Sequence, residues 1–206
     1  MSKEIEYEVK QKTLKVQEVA ELDYTVDQRF TYEDYCTWPN DQRWELIDGK
    51  AFKMEAPNRY HQKISGTVFA HLYFYLQGKP CEVYAAPFDV RLNVGEGKDT
   101  VVQPDIVVIC DREKLDRKGA KGAPEFVIEI LSRSTFRHDQ GRKFEKYEQY
   151  GVKEYWIVDP VAKVVTVYIL NLLGEYEAMV YKDGDAITSK ILRGFRISVK
   201  DIFADE

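Results

Sequence analysis

Two acidic residues stand in segments that otherwise have the composition of buried strands. Asp105 lies in Gln103-Pro104-Asp105-Ile106-Val107-Val108-Ile109, and Glu129 interrupts Glu125-Phe126-Val127-Ile128-Glu129-Ile130-Leu131. A carboxylate taken out of water is strongly disfavoured unless a cation, a hydrogen-bond network or a proton compensates it. A divalent metal is the compensator that also does chemistry, because on rigid strands it can polarise a phosphoryl oxygen and activate water. Side chains alternate along a strand, so Asp105 shares a face with Val107 and Ile109, and Glu129 shares one with Val127 and Leu131. If the two strands are neighbours, the acids converge. Two carboxylates, a backbone carbonyl, waters and substrate phosphate oxygens are then enough to hold Mg²⁺ or Mn²⁺.

The segment that follows supplies a cation. Asp139, Lys143 and Tyr147 recur at i, i+4 and i+8 and line one face of a helix expected from about Arg137 to Tyr150. That face can turn back toward the acids and bring the Lys143 ammonium to the attacking water or the scissile phosphate. Beside two carboxylates the lysine is expected to stay charged and to orient or stabilise rather than act as a base. The plain alternative is a solvated Asp139/Lys143 surface pair.

The elements that must position these residues read as mixed α/β. Thr31 caps a short helix over Tyr32–Cys36. Asp48-Gly49 joins two strands as a tight hairpin. Ile64, Val68, Leu72 and Leu76 form the stripe of an amphipathic helix from about Asn58 to Gln77, ended by Gly78 and Pro80. Strand-like runs follow at 82–92 and 100–110, with a hairpin loop at 93–98. After the Glu129 strand, Gly151 closes the next helix and Glu154 to Val158 read as a buried strand. The late runs at 164–170, 175–181 and 195–199 are expected as an antiparallel edge or a small subsheet.

Composition sets the limits. The 206 residues carry a net charge of −5, with 44% hydrophobic and 32% charged residues, values of an ordinary globular chain. Residues 1–28 show no clear period and read as an extension, leaving 29–206 as one domain. No segment approaches the roughly 18 consecutive apolar residues of a membrane span. Cys36, Cys81 and Cys110 have no paired spacing and read as three free thiols, which suits a cytoplasmic protein. Zinc is not expected, since His61, His71 and His138 announce no cluster. Part of the negative charge belongs to the first 27 residues, which hold seven acids against four lysines. Residues 112–121 and 133–146 each hold five cations against two acids, and positive charge on both sides of an acidic centre suits a phosphate backbone. Such runs are also ordinary solvated faces.

The series Trp44-Glu45-Leu46-Ile47-Asp48-Gly49, Met54-Glu55-Ala56-Pro57 with His61, Pro104-Asp105-Ile106, Glu129-Ile130-Leu131-Ser132, Asp139 with Lys143 and Tyr147, and Gly151-Val152-Lys153-Glu154-Tyr155-Trp156 resembles the PD-(D/E)xK phosphodiesterases. More narrowly it resembles the restriction endonuclease family of the Uma type, over about residues 30–203. The resemblance implies a restriction endonuclease-like mixed central sheet flanked by helices, with additional antiparallel strands on the C-terminal side. It implies a Mg²⁺- or Mn²⁺-dependent endonuclease acting on nucleic acid, DNA in the first instance. Asp105 and Glu129 would be the metal ligands, with the Ile130 carbonyl a third. Glu45 matches a further catalytic acid, and His61, Tyr147 and Arg142 are candidate substrate contacts. The superfamily's lysine falls two residues after the second acid, where this chain has Leu131, so Lys143 takes the catalytic lysine's part from the following helix. The rival expectation is a non-catalytic nucleic-acid-binding or regulatory module on the same fold, assembled as a homodimer.

Overall fold

The structure, a computed structural model, describes residues 28–39, 41–95, 98–132 and 138–204. In chain order its elements are α1 (Tyr32–Tyr35), β1 (Trp44–Ile47), β2 (Lys50–Lys53), α2 (Arg59–Leu76), β3 (Glu82–Ala85), β4 (Val90–Asn93), β5 (Thr100–Val102), β6 (Ile106–Ile109), β7 (Leu115–Asp116), β8 (Gly119–Lys121) and β9 (Phe126–Ile130). A π-helical turn over His138–Lys143 then runs into α3 (Phe144–Tyr150), followed by β10 (Glu154–Asp159), β11 (Val164–Leu170), β12 (Tyr176–Tyr181), β13 (Ala186–Thr188), β14 (Arg196–Ser198) and α4 (Val199–Ile202). The chain divides into two compact units, one running to Ala56 and including Arg91–Val102, the other formed by Pro57–Val90 and the chain from Gln103 onward.

In the first unit the strand order is β2-β1-β5-β4. Asp48 and Gly49 both adopt positive φ, 50° and 76°, the backbone of the tight turn that joins β1 to β2. Thr31 and Asp34 form a reciprocal capping box on α1. Phe30, Trp38, Trp44, Leu46, Ala51 and Val101 make this unit's core. Asp99 is buried and anchors two backbone amides, those of Tyr32 at 2.7 Å and Gly95 at 2.9 Å.

The second unit is built on a six-stranded sheet in the order β12-β11-β10-β9-β6-β3. Its β9 and β10 are parallel, while the other neighbours are antiparallel. A parallel pair needs a crossover, and here the connection carries the π-helical turn and α3. The predicted stripe Ile64, Val68, Leu72 and Leu76 of α2 is buried against Ile106 and Val108 of β6, Phe126, Ile128 and Ile130 of β9, and Trp156 and Val158 of β10. By strand alternation, Val107, Val127, Glu129 and Tyr155 lie on the opposite face. Of the late strands, β11 and β12 extend the main sheet antiparallel, and β14 pairs in a two-stranded sheet with β13, a strand not expected from the sequence. At the two ends of the outer strand β12, the Tyr176 amide donates to Glu148 Oε1 at 2.7 Å and the amide of Lys182, the residue after the strand, to Asp185 Oδ2 at 2.9 Å.

Three expectations are corrected. The run 82–92 is two strands, β3 and β4, which join different sheets; Pro87 lies between them and has no N–H to give a ladder. The run 100–110 likewise divides into β5 and β6 around Pro104. The thiols are not all free, since Cys81 and Cys110 form a disulfide with an S–S distance of 2.06 Å, leaving Cys36 as the free cysteine. The β3–β6 register pairs Glu82 with Ile109, so Cys81 and Cys110 meet one step further on. The expected extension and the 133–137 stretch lie outside the described residues, Gln28 excepted. No helix of the described residues is long and apolar enough to cross a membrane.

Candidate active site

Both acids belong to the second unit. The β6–β9 register pairs Ile106 with Ile128, and one step further Asp105 stands opposite Glu129. Directly opposed strand residues have Cβ atoms about 4.5–5.5 Å apart. Asp105 is pinned from both sides. Its carbonyl accepts the Ala86 amide at 3.0 Å, and its Oδ2 accepts the Ile130 amide at 2.8 Å. Oδ2 also lies 3.1 Å from Nε2 of His61. That histidine occupies the first turn of α2, where the side chain of Asn58 caps the helix by accepting the His61 amide at 2.9 Å. Ile130, whose carbonyl the resemblance offers as a further ligand, donates its amide to Asp105.

Glu129 is held by the crossover. Its Oε1 accepts the Lys143 ammonium at 2.9 Å and the Tyr147 hydroxyl at 2.7 Å. The Glu129 and Lys143 side chains are only 3% and 2% exposed, so water screens this ion pair little. The i, i+4 relation read from the sequence thus places Lys143 and Tyr147 on one carboxylate oxygen. Tyr147 is fully buried with its ring edge-on to Tyr155, centroids 5.0 Å apart. Leu131, at the superfamily's lysine position, is buried and apolar.

Glu45 is buried on β1 of the first unit and is described with that unit. Arg142 is half-buried in the π-helical turn beside Lys143. The Asp139 side chain lies outside the described residues. The basic stretch 112–121 is largely answered within the chain: Arg112 meets Glu82 at 3.0 Å, Lys114 meets Glu125 at 2.5 Å and Lys121 meets Asp116 at 3.3 Å.

One buried acid escaped the sequence reading. Glu154, at the start of β10, is fully buried. Its Oε1 accepts Trp156 Nε1 at 2.7 Å, and its Oε2 accepts Ser189 Oγ at 2.9 Å and the amides of Lys190 and Ile191 at 2.8 and 3.0 Å. Neutral donors satisfy this carboxylate completely, so its work is to tie residues 189–191 to the sheet.

Among the described residues no group of three or more His, Cys, Asp or Glu side chains gathers to hold a metal. The donor set at Asp105 and Glu129 nevertheless fits a hard divalent cation: two carboxylates from opposed strand positions, no thiolate, and room in the coordination for waters and substrate oxygens. It does not fit a structural zinc site, which closes with four protein ligands of nitrogen and sulfur character.

Known proteins are similar to this chain. An uncharacterized protein of Synechocystis sp., slr1290, is 27% identical over 176 residues, covering 83% of this chain and 90% of its own. The crystal structure of a putative nuclease belonging to DUF820 from Anabaena variabilis superposes with a TM-score of 0.70 at 19% identity, covering 85% of this chain and 98% of the other. That likeness shows a shared mixed α/β fold. The family model Uma2, described as putative restriction endonuclease, matches residues 32–200. The chain is a member of the Uma2 family.

Proposed function

We propose that this protein is a Mg²⁺- or Mn²⁺-dependent nuclease that hydrolyses phosphodiester bonds, with DNA as the substrate to test first. The observation that carries the reading is the opposition of Asp105 and Glu129 across β6 and β9, with the Lys143 ammonium 2.9 Å from Glu129. Asp105 and Glu129 would hold the cation. When bound there, the cation supplies Lewis-acid stabilisation of the charge that grows on the phosphoryl oxygens. The protein's own groups do the rest. Lys143 supplies positive charge to the reacting phosphate, where charge in a buried site has a large effect. Tyr147 keeps Glu129 oriented, and the Ile130 amide and His61 keep Asp105 oriented. Arg142, beside Lys143, is the candidate contact to a backbone phosphate. Glu45 carries no step in this scheme.

The test is plasmid and single-stranded DNA cleavage with Mg²⁺, with Mn²⁺ and with chelator, comparing the wild type with Glu129→Gln and Lys143→Met. Cleavage should require the metal and fall by about two orders of magnitude or more in each variant, the range set by loss of one electrostatic group. Equal cutting by all three preparations refutes the assignment to this site. Metal-indifferent DNA binding without turnover favours the non-catalytic reading.

A further inference from the structure

The site contains a cation of its own making. Lys143 is 1% exposed, and it shares Glu129 Oε1 with the Tyr147 hydroxyl. An oxygen that accepts two such donors has its lone pairs engaged, and the ammonium already answers the charge of Glu129. A buried ion pair is seldom retained for stability, because well-packed apolar residues of the same volume do as well or better.

We infer that the Lys143 ammonium occupies Glu129 in the metal-free protein and is exchanged for the divalent cation, so that metal loading turns the ammonium toward the substrate phosphate. The inference rests on the reading of Asp105 and Glu129 as a metal site. Two features carry it. An ammonium and a divalent cation drawn to one carboxylate repel each other, and they do so more strongly where water is excluded, so they compete rather than share. The two donors on Glu129 also differ in mobility. Lys143 ends a flexible four-carbon stem, whereas Tyr147 is a rigid ring packed against Tyr155. The lysine can leave while the tyrosine keeps Glu129 in place, which makes Tyr147 a positioning residue for the exchange.

Competition has a sign that distinguishes it from a bridging role. If Lys143 competes, removing it tightens metal binding; if it steadied a water or carboxylate around the metal, removing it would weaken binding. The experiment is calorimetric titration of Mn²⁺ into the full-length wild type, Lys143→Met, Lys143→Gln and Asp105→Asn. Exchange predicts at least a tenfold tighter Kd for Lys143→Met, a smaller tightening for Lys143→Gln, and loss of binding in Asp105→Asn. An unchanged or weaker Kd in the lysine variants, with binding still lost in Asp105→Asn, overturns the exchange and leaves the metal site standing. Equal binding by wild type and Asp105→Asn, or no binding by any protein, overturns the metal reading itself. Should the lysine variants not fold, the wild type answers alone: with ¹⁵N-labelled lysine, the buried and slowly exchanging Lys143 ammonium gives an NMR signal that Mg²⁺ should move or abolish. A signal unmoved by saturating Mg²⁺ overturns the exchange.

Discussion

Replacing the whole polar set around Glu129 should cost less stability than replacing one member of it. Glu129 and Lys143 lie 2.9 Å apart with side chains 3% and 2% exposed, so solvent cannot substitute for a lost partner. Lys143→Met removes the ammonium from a buried carboxylate, a change worth about 3–5 kcal/mol. Tyr147→Phe removes one hydrogen bond to a charged group and keeps the ring on Tyr155, so about 1.5–3 kcal/mol is expected. At about 2–4 °C per kcal/mol for a chain of this size, the lysine variant should melt on the order of 6–20 °C lower. The triple variant Glu129→Leu, Lys143→Met, Tyr147→Phe removes the charge, its partner and the orphaned hydroxyl together. It should return to within about 1 kcal/mol of the wild type or exceed it, as apolar replacements of buried ion pairs do. The assay is equilibrium urea unfolding followed by far-UV circular dichroism, comparing midpoints at unchanged slope. A triple variant destabilised by the sum of its single changes would refute the reasoning, because the network would then be there to hold the fold.

Glu154 offers the opposite case: Glu154→Gln sets an amide donor against one of its four donors and should cost about 1–3 kcal/mol, while Glu154→Ala strands all four and should cost about 4 kcal/mol or more. Both variants should still cut DNA below their melting temperatures, and loss of cleavage without loss of stability would mean that Glu154 does more than tie the chain. Burial alone would raise the Glu125 pKa, but the Cys110 amide and the Lys114 ammonium outweigh it and hold the carboxyl below its ordinary value. A folded-state pKa below the unfolded one gives stability that is present above the ordinary carboxyl range and is lost as pH falls through the folded value. Melting temperature should therefore fall more steeply with acid in the wild type than in Glu125→Gln, and parallel curves would refute the shift. At the two ends of β12, Glu148→Ala with Asp185→Ala frees two edge amides, so self-association seen by sedimentation should increase; an unchanged sedimentation profile would show that other features guard this edge.

Local features were the legible ones. The four-residue stripe of α2, the Asp48-Gly49 turn and the Thr31 cap each depend on residues within a turn or two of one another. Lys143 and Tyr147 were legible for the same reason, being four apart on the connection that leaves β9. What escaped depends on long-range pairing. The runs 82–92 and 100–110 displayed their hydrophobicity but not that Pro87 and Pro104 divide them between two sheets. Cys81 and Cys110 are 29 residues apart and meet only through the β3–β6 register. Glu154 posed the same energetic problem as Glu129, and its donors at Ser189, Lys190 and Ile191 come from 35–37 residues away, a distance that leaves no mark in local spacing.

The crossover between β9 and β10 separates a lysine's address in the chain from its address in space. Two parallel neighbours require the intervening segment to climb back along one face of the sheet, and here it covers the face that carries Glu129. A positive charge beside that acid can therefore be encoded two residues along the strand or fourteen residues later on the overlying helix, with the same surroundings at the end. Patterns that search for an acid and a lysine at fixed separation are blind to the second arrangement. A search that asks which residues overhang the acid would find it.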